Sequence, residues 1–193
     1  MLFNSYPKSR HLVPTTLLAA ALVAGLMFTA RVVCAQDATA QTSQKEVSQL
    51  LEQSKAAAAQ LERDALVLES FTRGNLSWQS HGDQLTRIKE HINSMGEDVH
   101  RLQDLRPAAV PWQQQAIDRI IPLMVEMASL TQSAIEHLSA NPQKLHAPEY
   151  IQYLKDKAEV STELSGLISD FVKYDRAKAK LAELEKSLGL AGS

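Results

Sequence analysis

The stretch Trp78-Gln-Ser-His-Gly-Asp-Gln-Leu-Thr-Arg-Ile-Lys-Glu-His-Ile-Asn-Ser-Met-Gly-Glu-Asp-Val-His-Arg-Leu102 decides the fold. Trp78, His81, Leu85, Ile88, Ile92, Met95, Val99 and Leu102 follow one another at steps of three and four without a miss. With about 3.6 residues per turn, that spacing puts all eight side chains on one side of a helix. A half-buried strand needs alternation at every second residue, and none is present. The stretch therefore predicts a helix over Ser77–Arg106, one side of which must be covered by other elements.

Working outward, the same rhythm recurs on both sides. Downstream, Pro107 and Pro111 bracket a turn, because proline lacks the amide a helix interior needs but suits a helix start. Ile117, Ile121, Met124, Ala128, Thr131, Ile135 and Leu138 then predict a helix over Pro111–Ala140, with a kink at Pro122. Asn141-Pro142 ends it and Pro148 opens a fourth helix reaching Leu188. Its stripe is Val160, Leu164, Leu167, Phe171, Tyr174, Ala177, Leu181, Leu184 and Leu188. Two successive steps of three, Phe171 to Tyr174 to Ala177, break the rhythm as a stammer does. Upstream, Val47, Leu51, Ser54, Ala58, Leu61, Ala65, Leu68 and Thr72 predict a helix over Ser43–Arg73, closed by Gly74-Asn75.

Short connections force neighbouring helices to run in opposite senses. The expected fold is all-α, an antiparallel up-down-up-down four-helix bundle with a long C-terminal helix. At about 40 residues against about 30, the fourth helix should outreach its partners by roughly 15 Å.

The N-terminus reads differently. Lys8, Arg10 and His11 precede an uncharged Leu/Ala-rich run, Leu12 to Ala30, and Val33-Cys34-Ala35 offers the small side chains a signal peptidase accepts. The sequence predicts a signal peptide over 1–35 with cleavage after Ala35, a small and polar linker over 36–43, and the bundle over 44–190. The protein is expected to be exported, periplasmic or extracellular. The alternative is an inner-membrane anchor at 12–30, since the run approaches the roughly 20 residues a span needs, and only then would a membrane be a partner. Cys34 as a lipid attachment point is disfavoured, because Arg31-Val32-Val33 lacks the small residue that normally precedes such a cysteine.

Cys34 is the single cysteine, so the processed chain has no disulfide to rely on and must be stabilised by its core. Removing Lys8, Arg10 and Arg31 with the leader takes the formal charge from −2 to −5. A mildly acidic chain without clustered Lys and Arg is not built to neutralise phosphates, and nucleic acid is excluded as a partner.

The segments Leu68-Glu-Ser-Phe-Thr-Arg73, Leu76-Ser-Trp-Gln-Ser-His81 and Ile88-Lys-Glu-His-Ile-Asn93 resemble those of an uncharacterised family of exported bacterial helical proteins. The resemblance spans the processed chain. It implies a signal peptide and a helical fold and supplies no activity.

Candidate sites are few. Haem held between His91 and Met95, Met124 or Met127 competes with methionine as a filler of core gaps, and covalent haem is excluded without a Cys-x-x-Cys-His run. Glu97 and His100 form one Glu-x-x-His pair, but a di-metal bundle needs two such pairs facing inward, and these two residues flank the stripe. The third candidate comes from topology: His81, His137 and His146 should gather at one end of the bundle, where three imidazoles could bind zinc or a similar ion. No cofactor is expected. Trp78 and Trp112 are expected as buried helix-start anchors at opposite ends. Lys173, Arg176, Lys178 and Lys180 form a basic stretch on the fourth helix.

No Gly-x-Ser-x-Gly, His-Glu-x-x-His, Gly-x-Gly-x-x-Gly or Gly-Lys-Ser motif occurs. The expected role is non-catalytic: an extracytoplasmic bundle acting through protein contacts in an envelope structural, adaptor or chaperone-like capacity, with an unknown protein partner. Leu181, Leu184 and Leu188 would form an apolar edge suited to homo-oligomers through helix four. The alternative is a metal- or small-ligand-binding bundle using the end with His81, His137 and His146.

Overall fold

The computed structural model describes the backbone from Thr29 to Leu190 and side chains from Gln41 to Leu190. The leader reading for residues 1–35 therefore lies largely outside the described residues. The chain divides into two compact units, Met1–Ala38 and Thr39–Ser193. Among the described residues there is no strand, and four helices carry the fold: α1 (Thr29–Ser70), α2 (Trp78–Leu105), α3 (Pro111–Ala140) and α4 (Pro148–Ser187). Short 3-10 turns, Phe71–Arg73 and Arg106–Ala108, follow α1 and α2. None of the described helices is long and apolar enough to cross a membrane.

The helices start and stop where local chemistry tells them to. Ser77 takes extended backbone and its hydroxyl accepts from the Ser80 N–H at 3.3 Å, capping α2. Pro111 and Pro148 occupy the first turns of α3 and α4. Arg106 forms a two-pronged bond to Asp118, Nε to Oδ1 at 2.6 Å and NH2 to Oδ2 at 2.7 Å, fixing the turn into α3. That guanidinium also holds the Asp118 carboxyl below its usual range. One boundary departs from expectation: α1 starts at Thr29, so residues 36–43, read as a linker, have helical backbone. The stretch contains no Gly or Pro, and nothing in it breaks a helix that is already running.

The core is one apolar cluster contributed by all four helices. In α1 the predicted positions Val47, Leu51, Ser54, Ala58, Leu61, Ala65 and Leu68 are buried and Leu50 joins them, while Thr72, in the 3-10 turn that follows, is only half-buried. In α2, seven of the eight stripe residues are buried, from His81 to Leu102. The eighth is a correction. Trp78 is 45% exposed, because it precedes the first full turn of α2 and Phe71 sits edge-on to His81 instead, ring centroids 5.3 Å apart.

The inward face of α3 differs from the predicted one. Ile117, Met124, Thr131 and Leu138 are buried, but their companions are Ile120, Met127 and Ala134, while Ala128 is exposed. The buried set steps by three and four throughout, so the face is turned slightly from the one drawn through Ile121 and Ile135, and α3 runs unbroken through Pro122. α3 packs most extensively on α4 and next on α2.

Buried polar side chains tie the helices together. Gln113 Nε2 donates to the Gln44 carbonyl at 2.8 Å and to Ser48 Oγ at 3.2 Å. Gln84 Nε2 donates to the Asp64 carbonyl at 3.1 Å and to its Oδ1 at 3.3 Å. At the surface, the exposed pairs Arg101–Glu46, at 2.6 Å, and Arg176–Glu52, at 2.5 Å, also join helices. A buried amide whose partners lie on a neighbouring helix fixes register, because sliding leaves it unpaired at a cost of about 1–3 kcal/mol. Gln84→Ala is therefore expected to destabilise the fold by about 1–2 kcal/mol, read as a lower urea midpoint. An unchanged midpoint would remove Gln84 from the set of register-fixing contacts.

Candidate functional site

Each helix contributes to the corner where α1 ends, α2 begins, α3 ends and α4 begins. His81, one turn into α2, is buried and shares a hydrogen bond between its Nδ1 and the Tyr150 hydroxyl at 3.0 Å. Tyr150 lies in the first turn of α4 and is fully buried. On its other side the His137 ring, in the last turn of α3, stacks at 5.1 Å with an interplanar angle of 20°. His137 Nε2 is 3.4 Å from the Lys144 carbonyl. Phe71 closes the corner from the 3-10 turn after α1.

Two turns further along α4, Lys157 is entirely buried, and its amine has no hydrogen-bond partner. Its position follows from the inward face of α4, whose buried residues Tyr150, Leu154, Lys157, Ser161, Leu164 and Ile168 are three or four apart. Taking an ammonium out of water without a counter-charge disfavours the charged form. Burial accordingly lowers the Lys157 amine to about 7. The His81 imidazole is lowered too, first by burial and then by the positive charges of His146 and Lys157. Burial raises the Tyr150 hydroxyl, which stays neutral.

The sequence brings His81, His137 and His146 to one end of the molecule, but each is used differently. His81 is committed to Tyr150, His137 is stacked on the same ring, and His146 is exposed in the loop. Among the described residues no three His, Cys, Asp or Glu side chains form a group suited to a metal ion. Lys157 makes this corner cationic when protonated, which opposes a divalent cation and suits an anion.

The remaining candidates are placed as follows. His91 lies on the α1 side, with Nδ1 2.8 Å from Asp64 Oδ2 at an ion-pair distance, not a hydrogen-bond angle. Met95, Met124 and Met127 are buried members of the core. Glu97 and His100 are exposed, and His100 pairs with Asp104 at 3.2 Å, one turn along its own helix.

At the far end α4 leaves the core. Val172 is its last buried residue, and every described residue after Asp175 is exposed. Trp112 meets Tyr174 edge-on at 5.4 Å, and with Phe171, Arg119, Glu163 and Asp170 they line an open cleft of about 490 Å³ between α3 and α4. Arg119 stands 5.9 Å over the Phe171 ring and Lys178 stands 5.8 Å over the Tyr174 ring. The basic stretch is partly neutralised, Lys173 by Asp170 at 2.9 Å and Arg176 by Glu52.

Comparison with known protein families, with curated proteins and with solved structures finds no match.

Sequence reasoning passed over Tyr150 and Lys157. Both were legible in principle. A stripe carried back from Leu164 by fours and threes passes through Ser161, Lys157, Leu154 and Tyr150, and a lysine on a core stripe is a rare and informative residue.

Proposed function

We propose that this chain is an exported, non-catalytic protein whose helices form an antiparallel up-down-up-down bundle, acting through protein contacts made by the free end of α4. Its role on this reading is structural, adaptor-like or chaperone-like in the cell envelope. The pairing of Glu46, in the first half of α1, with Arg101, near the end of α2, supports the antiparallel order, as do the contacts of Phe71 with His81 and of His137 with Tyr150 across the connections. Export rests on the leader pattern at 1–35, with anchoring through 12–30 as the alternative form.

One observation carries the docking role. Leu181, Leu184 and Leu188 are 56%, 50% and 69% exposed on a helix that no core covers. That helix is nonetheless finished with care. Gly189 adopts φ +71°, its N–H donates to the Lys186 carbonyl at 3.3 Å, and Leu190 N–H donates to the Glu185 carbonyl at 2.9 Å. This is the Schellman arrangement, in which a left-handed residue closes the last turn. Three large apolar side chains left in water along a capped helix favour association.

Deleting residues 176–193 tests the reading. The deletion is expected to leave the unfolding midpoint within about 0.5 kcal/mol of the parent, because the core ends at Val172, and to abolish cross-linking to protein partners in the envelope. Undiminished cross-linking after the deletion would sink the proposal.

A second reading is small-ligand or metal binding at the His81, His137 and His146 end; the unpartnered Lys157 amine favours its anionic-ligand form and opposes its metal form. An amine in that position asks for an anion. Calorimetric titration with zinc and with inorganic phosphate separates the two forms of this reading, and heat from neither removes both.

A further inference from the structure

The free end of α4 has a heptad of its own. The stammer at Phe171, Tyr174 and Ala177 is the point where the stripe changes register. From Tyr174 the steps run three, four, three, four through Ala177, Leu181, Leu184 and Leu188. Tyr174 is 48% exposed, Ala177 is exposed, and the three leucines are at least half exposed. This is the a/d spacing of a two-stranded coil, with Tyr174, Leu181 and Leu188 at a and Ala177 and Leu184 at d.

The charges beside this seam say what it pairs with. Lys178 and Glu185 fall at successive e positions, and Lys173 and Lys180 at successive g positions. In a parallel pair the contacts run from g to the following e of the other chain. That would set Lys173 against Lys178 twice while pairing Lys180 with Glu185 twice, with no net gain. In an antiparallel pair e faces e, so Lys178 of each chain meets Glu185 of the other and both contacts are attractive.

The lengths agree as well. With Leu181 layered against Leu184, Ala177 lies opposite Leu188, where the left-handed Gly189 closes the helix, and the paired stretch stays clear of Val172, the last buried residue of α4. The overlap from 177 to 188 is about 17 Å long at 1.5 Å per residue, so the association is a modest, concentration-dependent one.

We infer that the partner of the α4 free end is a second copy of this chain, joined in an antiparallel two-stranded coil along Ala177–Leu188 and held in that orientation by reciprocal Lys178–Glu185 pairs. The inference rests on the docking role proposed for α4 and names its occupant.

Sedimentation of the purified full-length chain tests it. The protein is expected to dimerise reversibly. Lys178→Glu and Glu185→Lys should each weaken the dimer about tenfold or more by turning two attractive pairs into repulsive ones, and the combined swap should restore it. Lys178→Glu is the discriminating variant, because in a parallel coil it would relieve the Lys173–Lys178 repulsion and tighten the dimer. Tightening would overturn the antiparallel seam, and so would dimerisation indifferent to all three variants. A chain that stays monomeric at hundreds of micromolar also overturns self-pairing. If the 176–193 deletion still abolishes envelope cross-links in that case, the docking role survives with a different occupant.

Discussion

Replacing Lys157 with methionine is expected to raise the stability of the protein at pH 7 by about 2–5 kcal/mol, with the gain shrinking towards pH 10. The amine is fully buried and has no hydrogen-bond partner, whereas methionine fills nearly the same space without a charge to desolvate. The sign follows from proton linkage. The folded chain holds the Lys157 proton only below about 7, but the unfolded chain holds it up to 10.5. Between those values the unfolded state binds an extra proton, so stability rises with pH across that window and is lowest beneath it. A displacement of that size corresponds to roughly 5 kcal/mol below pH 7. His81 adds a smaller loss of the same sign as pH falls through 6.5, because its imidazole is also held below its ordinary value. Urea midpoints of parent and K157M at pH 6, 7.5, 9 and 10 read both effects. The parent should gain stability steeply between pH 7.5 and 10. The variant should be flat there and keep only the loss below 6.5. A variant no more stable than the parent at pH 7.5, or a gain independent of pH, would show that the amine is not the strained group the geometry makes it.

This cost also says which parts of the molecule a sequence can disclose. The helices were legible because their signal is redundant: α1 and α2 carry seven or more stripe residues each, and Pro111, Pro148 and Ser77 mark starts by chemistry that acts within one turn. The inward face of α3 was less legible. Ile117, Ile120, Ile121 and Met124 are equally apolar, and only neighbours on both sides decide that Ile120 goes to the core while Ile121 stays at its margin. In α4 the most periodic leucines, Leu181, Leu184 and Leu188, are the exposed ones. Periodicity reports that a face wants to be covered, not that this chain covers it. The site was the least legible part. His81, His137 and His146 do share one end, but a histidine count cannot reveal that Tyr150 comes between two of them, nor that Lys157 supplies a competing positive charge. Those facts depend on how α2, α3 and α4 are set against one another, and pairs such as His81 and Tyr150 are 69 residues apart in the chain.

Tyr150 is the residue whose loss should hurt most. It is fully buried, bonded to His81 on one side and stacked by His137 on the other. Tyr150→Ala removes the ring that α2, α3 and α4 share, and is expected to cost about 3–5 kcal/mol as apolar contacts are lost and a cavity opens. Tyr150→Phe keeps the ring and removes only the hydroxyl. Its cost, about 1–3 kcal/mol, is that of leaving the His81 Nδ1 buried without a partner. The two contributions can be separated. In a His81→Leu background there is no imidazole to strand, so Tyr150→Phe should cost less than it does alone, and the shortfall measures the His81–Tyr150 bond itself. Equal costs in both backgrounds would mean that the 3.0 Å contact contributes nothing to stability and that the corner is held by ring packing alone. Burial of His81 also weakens the fold in acid. Protonating His81 places a charge near those of His146 and Lys157, so the loss of stability below pH 6.5 should be shallower once Lys157 is methionine.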